Sequence, residues 1–282
     1  MIQIREALAG AIVLLRNEGV ESPRLDAELL LAQVLGTNRA AVLAWPERVL
    51  TPKELTRYRA LANRRAAREP LAYILGHREF YDLDLAVDQR VLIPRPETEI
   101  LVEEALRIGR RQTGPLLIAD VGAGSGAIAV TLAVHLPQAV VYALDGSAGA
   151  LAVTAENARR HNVAERVHCL AGDLLAPLPQ PVDLIAANLP YVTTREWEAL
   201  PPEIQDYEPR AALDGGTDGL ALIRRLLATA GGHSRRGAVI LSEIGASQGG
   251  AVTALASEYF PDATVRLMQD YAGLDRVIVI ET

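Results

Sequence analysis

Over the first 75 residues of this 282-residue chain, apolar positions recur at helical spacing. Ile4, Leu8, Ile12 and Leu15 stand three or four apart and predict a helix. Ser22-Pro23 predicts an N-cap followed by proline at the first helical position, with Leu25, Leu29 and Leu30 lining one face. Thr51-Pro52-Lys53-Glu54 has the order of a capping box with the same proline placement. The helix it opens carries Arg57, Arg59, Arg64, Arg65 and Arg68, a basic face that reads as solvated, with contact to an acidic partner as the alternative. Pro70-Leu71-Ala72-Tyr73-Ile74-Leu75-Gly76 shows no helical period. Phe80 to Val87 alternates at period two, and Val91-Leu92-Ile93 follows a short polar turn, which predicts a β-hairpin joining two domains. Pro94-Arg95-Pro96-Glu97-Thr98-Glu99 then interrupts regular structure and opens a helix through Leu106.

From residue 116 strands and helices alternate. Leu116 to Val121 predicts a buried strand, followed by a glycine-rich turn and a helix through Ala133. Further strands are expected at 139–144, 166–170, 182–187 and 238–243, and helices at 148–161 and 219–230. This alternation implies parallel strands with helical crossovers, an α/β, Rossmann-like, doubly wound sheet. Two last strands, near 264–268 and 276–280, are separated by only a few residues. A parallel crossover needs a dozen or more, so the final strand is expected to run antiparallel to its neighbour. The chain therefore divides into a helical region over residues 1–75, a hairpin linker over 76–94 and a sheet domain over 95–282.

Candidate chemistry lies where strands end. Gly122-Ala123-Gly124-Ser125-Gly126 follows the first strand of the sheet, and glycines let a backbone turn sharply and approach a ligand. Asp145 ends the second strand, placed to accept hydrogen bonds from ribose hydroxyls. Gly-x-Gly-x-x-Ala plus that acid also fits a dinucleotide-binding fingerprint. The reversed last strand and Asn188-Leu189-Pro190-Tyr191 favour an adenosyl cofactor instead, since hydride transfer requires no such tetrapeptide. Pro190 ends the fourth strand because it cannot donate a ladder hydrogen bond. The Asn188 side-chain oxygen and the Leu189 carbonyl are two acceptors able to grip the NH2 of an amide or an aminopurine, and Tyr191 offers a flat face. The plainer alternative is an Asn-Pro turn beside a core tyrosine. Asp173, after the third strand, either takes the adenine amino group or caps a turn.

Composition narrows the class. Half the residues are apolar and 22% are charged, as in ordinary globular proteins. The net charge of −7 argues against a broad basic footprint for duplex nucleic acid. It is uneven: residues 1–75 hold 11 Arg and Lys against 8 Asp and Glu, a balance of +3, so the remainder carries −10. Cys169, the single cysteine, excludes an internal disulfide and reads as a buried structural thiol in a strand. No apolar stretch is long enough to span a bilayer and no signal-peptide pattern opens the chain, so a cytoplasmic protein is expected. His77, His135, His161, His168 and His233 show no metal-ligand or triad spacing, so neither a metal nor a histidine base is expected.

These motifs, in this order, closely resemble the release-factor glutamine methyltransferases over nearly the whole chain. The resemblance runs through residues 70–76, Phe80-Tyr81, residues 92–99, residues 120–126, residues 188–191, residues 208–219 and Asp275-Arg276. Two departures stand out: the family's Asn-Pro-Pro-Tyr has Leu189 as its second residue here, and Leu174 stands where some relatives place tryptophan. The resemblance implies a helical N-terminal domain, a hairpin bridge and a seven-stranded class I methyltransferase domain. It implies S-adenosylmethionine as cofactor, with Gly122, Ala123, Gly124, Ser125 and Gly126 along its methionine and ribose portions. Asp145 would hold the ribose hydroxyls, Asp173-Leu174 would flank adenine, and Asn188, Leu189, Pro190 and Tyr191 would form the reacting site, with Asn188 also contacting the cofactor. Its substrates are peptide-chain release factors, methylated on the glutamine of Gly-Gly-Gln and held in part by the helical domain. A nucleic-acid adenine amino-methyltransferase, which grips a flipped base with a similar tetrapeptide, is the alternative.

Overall fold

The computed structural model describes residues 2–282, in two units. One holds the chain up to Gly76 together with the later segment Pro201–Tyr207; the other holds His77–Leu200 and Glu208–Thr282. Two features differ from the division read off the sequence. The hairpin belongs to the sheet unit rather than to a separate linker, and a segment far downstream returns to the helical unit.

The helical unit is built from α1 (Ile4–Asn17), α2 (Pro23–Leu35), α3 (Arg39–Ala44), α4 (Pro52–Ala66) and α5 (Leu71–Leu75). In α1, Ile4, Leu8 and Leu15 are buried as their spacing predicts, with Ala11 rather than Ile12 completing the face. In α2 the buried side is Ala27, Leu30, Leu31 and Val34, whereas Leu25 is exposed. That helix is apolar around most of its circumference, so packing rather than periodicity selects its inner face. The Thr51 capping box forms: Thr51 Oγ1 accepts from the Glu54 amide at 3.3 Å, and Glu54 accepts from the Thr51 amide at 2.8 Å. Helix α5 overturns the expectation of no helix in 70–76; five residues are too few to display a period, and Gly76 in the left-handed region ends it.

The basic face of α4 is not uniformly solvated. Arg57 and Arg59 are exposed. Arg65 is buried and donates to Asp26 at 2.7 Å and to Glu203 at 3.3 Å. Arg68 donates to Glu203 at 2.6 Å, and Arg64 forks onto Glu69. A buried arginine without such partners would be strongly destabilising. Much of the positive balance is therefore consumed within this unit.

In the sheet unit, β1 (His77–Phe80) pairs antiparallel with β2 (Leu83–Ala86). The alternating run Phe80 to Val87 predicts one strand; the structure turns it at Tyr81-Asp82, with Tyr81 at φ 58°. Residues 91–93 lie outside any strand. Tyr81, within the turn, continues the period-two pattern of Leu83, Leu85 and Val87, which hides the turn from the sequence. The chain continues through α6 (Thr98–Gly109), β3 (Leu116–Val121), α7 (Ala127–His135), β4 (Ala139–Asp145), α8 (Ala148–Arg160), β5 (Val167–Ala171) and β6 (Val182–Ala187). After α9 (Thr194–Trp197) and α10 (Pro202–Gln205), the latter in the segment that returns to the helical unit, come α11 (Ala221–His233), β7 (Ser234–Glu243), α12 (Gly249–Tyr259), β8 (Thr264–Gln269) and β9 (Asp275–Glu281).

The seven strands lie in the order β5-β4-β3-β6-β7-β9-β8. The first five are parallel, and β9 runs antiparallel to both β7 and β8, as the short final connection requires. Central strands bury both faces, so they read as continuous apolar runs. Leu184 and Ala186 enter one core, and Ile185 and Ala187 the other. The strand order reverses between β3 and β6, and ligands bind such sheets at the carboxyl ends beside that switch point. Cys169 lies on edge strand β5 and is only half-buried, with burial raising its thiol pKa. No helix among the described residues is long and apolar enough to cross a membrane.

Asp120, one residue before the end of β3, is fully buried. Its Oδ2 accepts from the Ala129 amide of α7 at 2.9 Å, while Oδ1 has no partner. Burial pushes its pKa up from 3.8 to about 7, with nearby Asp145 adding to the rise. The folded state then binds a proton that the unfolded state releases. Stability must fall as pH rises from about 4 to about 7, across the interval between the two values. Asp120→Asn keeps the acceptor and removes the charge. Its melting temperature should exceed the parent's at alkaline pH and lose that slope, as ligand-free thermal melting across pH would read.

Candidate active site

A cavity of about 700 Å³ opens at the carboxyl ends of β3, β4 and β6, within the usual range for small-ligand sites. The structure gathers most of the predicted site residues on its wall: Gly122, Ala123, Gly124, Ser125, Asp145, Asp173, Leu174, Asn188, Leu189 and Pro190. Gly126 and Tyr191 stand outside the lining.

The glycine loop is held from three sides. Gly122 has φ +80°, and its amide donates to Leu144 O at 2.8 Å, tying the loop to the end of β4. Asp145 accepts from the Gly124 amide at 2.9 Å and from the Ser147 amide at 2.7 Å. Each carboxylate oxygen still has a lone pair for a ligand hydroxyl. Helix α8 supplies the third hold: Thr154 donates to Gly124 O at 3.0 Å and Asn157 to Ser125 O at 2.8 Å. Asn157 also exchanges hydrogen bonds with the Ala86 backbone, fastening the loop to the hairpin. At the far end, Asp173 lines the cavity, is exposed, and is already paired with Arg225 through one carboxylate oxygen. Leu174 takes φ +49°, a conformation that costs a bulky residue on the order of 1–3 kcal/mol.

Register brings the second motif alongside the first. Val121 of β3 pairs with Ala187 of β6, so Gly122 and Asn188 leave adjacent strands together. A Cβ on Gly122 would lie 3.2 Å from Leu189 Cδ2 and 3.5 Å from Asn188 O. Leu189, in the position of the family's proline, is buried and packs directly under the glycine loop.

The Asn188 carboxamide is oriented by residues that its local sequence does not reveal. Its Nδ2 donates to Thr98 Oγ1 at 3.0 Å, and Thr98 donates to Glu243 Oε2 at 2.6 Å. The hydroxyl of Tyr191 donates to Glu243 Oε1 at 3.0 Å. Tyr191 is thus anchored through its hydroxyl by a hydrogen bond outside the cavity lining. Among the described residues neither Asn188 Oδ1 nor the Leu189 carbonyl accepts a protein hydrogen bond, leaving both acceptors for a ligand. Glu243 is 1% exposed, and burial raises its pKa against the lowering effect of its two hydrogen bonds. Gln248, beyond the end of β7, donates to Tyr191 O at 2.9 Å and clamps the turn from behind.

Other contacts close the walls. Arg95 donates to buried Glu208 at 2.5 Å, and Glu208 also accepts from the Ile93 amide at 3.1 Å. Two motifs linked in the sequence only by resemblance are thereby joined. Residues 191–194 run beside 213–216 through Val192 N to Leu213 O and Thr194 N to Gly216 O, both at 3.0 Å. None of the five histidines lines the cavity. A cavity of this volume, a glycine loop at its floor and an acid at the end of β4 fit an adenosyl cofactor.

The sheet order, the reversed β9 and the cavity at the switch point define a class I, Rossmann-like methyltransferase fold. The Methyltransferase small domain family matches residues 98–200, and the PrmC N-terminal domain family matches residues 6–76. A methyltransferase from Pyrococcus furiosus superposes with TM-score 0.53 at 16% identity, covering 80% of this chain and 97% of that one. Release factor glutamine methyltransferase of Moorella thermoacetica is 46% identical, covering 97% of this chain and 96% of its own. That of Geobacter sulfurreducens is 44% identical, covering 98% and 95%. This chain belongs to the release factor glutamine methyltransferase family.

The contact between loop and turn is directly testable. Gly122→Ala should destabilise the fold and lower cofactor affinity, because its φ is strained for alanine and its methyl presses on Leu189. Adding Leu189→Ala should relieve the steric part only. Thermal melting of both variants would read this; a Gly122→Ala protein with the parent's melting temperature would refute the contact.

Proposed function

We infer that this enzyme transfers a methyl group from S-adenosylmethionine to the side-chain amide nitrogen of a release-factor glutamine, that of the Gly-Gly-Gln motif, in the cytoplasm. The observation that carries this reading is the pair of open acceptors, Asn188 Oδ1 and the Leu189 carbonyl, on the wall of the glycine-loop cavity.

Residues 122–126 would hold the methionine and ribose portions of the cofactor, Asp145 the ribose hydroxyls, and Asp173 with Leu174 the adenine. When bound, S-adenosylmethionine supplies a methyl group already activated on a sulfonium. The protein's own task is the nucleophile. An amide nitrogen is weak because its lone pair is delocalised into the carbonyl. The two acceptors take its two N–H groups and aim the nitrogen at the donor. Positioning of this kind contributes up to about 7–11 kcal/mol. No base need ionise the amide first, since its proton becomes acidic once the nitrogen carries the methyl group. The helical unit helps hold the release factor, with Arg57 and Arg59 of α4 exposed to contribute.

Labelled methyl transfer with a release factor and DNA offered in parallel tests the substrate; label on DNA alone would overturn the assignment. Asp145→Ala should weaken S-adenosylmethionine binding, because each charge-assisted hydrogen bond is worth about 1.5–3 kcal/mol. Calorimetry showing unchanged affinity would remove Asp145 from the ribose site. Asn188→Ala should retain most cofactor binding yet lose transfer by about 10²–10³, the usual effect of deleting a preorganised polar contact at a reacting centre. A folded Asn188→Ala protein working near the parent rate would reduce Asn188 to a turn residue.

A further inference from the structure

We propose that Glu243 is the positioning residue of the amide site: through Thr98 it holds the Asn188 carboxamide with its oxygen toward the substrate, and through the Tyr191 hydroxyl it fixes the turn that carries both acceptors. The proposal rests on the glutamine-amide reading above.

The polarity of the chain of hydrogen bonds carries it. A carboxamide can face a ligand with its oxygen or its NH2, and the two ends have nearly the same shape. A substrate amide offers two N–H donors, so only the oxygen-forward arrangement binds it; the reverse sets NH2 against NH2. The choice is made at Glu243. As a carboxylate it can only accept, and its two oxygens take one hydroxyl each, from Thr98 at 2.6 Å and Tyr191 at 3.0 Å. With the Thr98 proton committed to Glu243, Thr98 Oγ1 is left as an acceptor, and Asn188 meets it with Nδ2 at 3.0 Å. Asn188 Oδ1 then points away from Thr98, toward the cavity that Asn188 and Thr98 both line. A proton on Glu243 Oε2 would donate to Thr98 and free the Thr98 proton for Asn188, favouring the wrong orientation.

The parts come from three separate stretches: Thr98 opens α6, Asn188 and Tyr191 follow β6, and Glu243 ends β7. Glu243 is 1% exposed and Thr98 is 4% exposed, so water does not compete for these bonds. The charged groups facing Glu243 are Glu97, at the N-cap of α6, and Arg276, on β9; the Tyr191 phenol faces it from the turn. Glu243 itself is absent from the cavity lining, which makes it a positioning residue and not a reacting one.

The test compares the parent with Thr98→Val, Thr98→Ser and Glu243→Gln, using labelled transfer to a release factor, calorimetry with S-adenosylmethionine and thermal melting. Thr98→Val is nearly isosteric but breaks the chain. It should lower kcat about 10–100-fold, as loss of an orienting outer partner does for metal-ligating side chains, with a much smaller effect on cofactor affinity. Thr98→Ser should restore most of that loss. The parent's kcat at saturating substrates should fall on the acid side as Glu243 takes up a proton. Glu243→Gln, which cannot ionise, should be slower and lack that acid limb. A structural role alone would lower the melting temperature without changing the pH profile. Should Thr98→Val not fold, the pH profile of Glu243→Gln decides. Thr98→Val at the parent rate, Thr98→Ser no better than valine, or an acid limb unchanged in Glu243→Gln would overturn the proposal alone. Failure of the parent to label a release factor would overturn the reading of the site and this proposal with it.

Discussion

The parallel pairing of β3 with β6 is the constraint on which the rest depends. Five residues leave the end of β3 as the glycine loop, and four leave the end of β6 as the acceptor turn. Because Val121 stands opposite Ala187, the two segments emerge side by side. A shift of one residue would turn every side chain of β6 to the other face of the sheet and exchange its two cores. The apolar alternation of Leu184, Ile185, Ala186 and Ala187 between those cores therefore guards the geometry of the site as well as its stability. Leu189 makes the coupling tight: it lies where any side chain at Gly122 would have to go.

Two buried acids show how hydrogen bonding divides the uses of similar groups. Asp120 keeps one oxygen without a partner, and its pKa rises to about 7. A charge there is a burden on the fold, which the structure relieves only through the Ala129 amide. Glu243 is as deeply buried and burial raises its pKa too, but both of its oxygens accept hydroxyl protons, two hydrogen bonds that oppose the rise. An acceptor-only group at the end of a chain of hydroxyls imposes a direction on every bond in it. That direction ends at the one carboxamide whose orientation matters for an amide substrate.

Charge in the helical unit follows the same economy. The run of arginines along and just after α4 resembles a docking surface, yet Arg65 and Arg68 converge on Glu203, which lies 138 and 135 positions downstream of them. Asp26 of α2 takes the remaining side of Arg65. These pairs join three stretches of chain into one unit. Arg57 and Arg59 remain exposed on that helix.

The sequence by itself determined the strands, the crossovers up to β7 (but not α12) and the reversed last strand, because central strands buried on both faces leave long apolar runs and short connections restrict direction. It also determined which loops carry chemistry: glycines and an Asn-x-Pro-Tyr tetrapeptide announce themselves through backbone requirements that are local. Only the tertiary structure decided which face of α2 is buried, where the hairpin turns, and that Pro201–Tyr207 belongs with the helices, since each depends on contacts between distant segments. The same holds for the site. Thr98 and Glu243 look like an ordinary first-turn threonine and strand-end acid, and Asn157 like any helix residue. Their roles exist only because α6, α8 and β7 bring them to the two loops. A hydrogen bond between residues 145 positions apart leaves no trace in local composition or period, so the orientation of Asn188 had to wait for the fold.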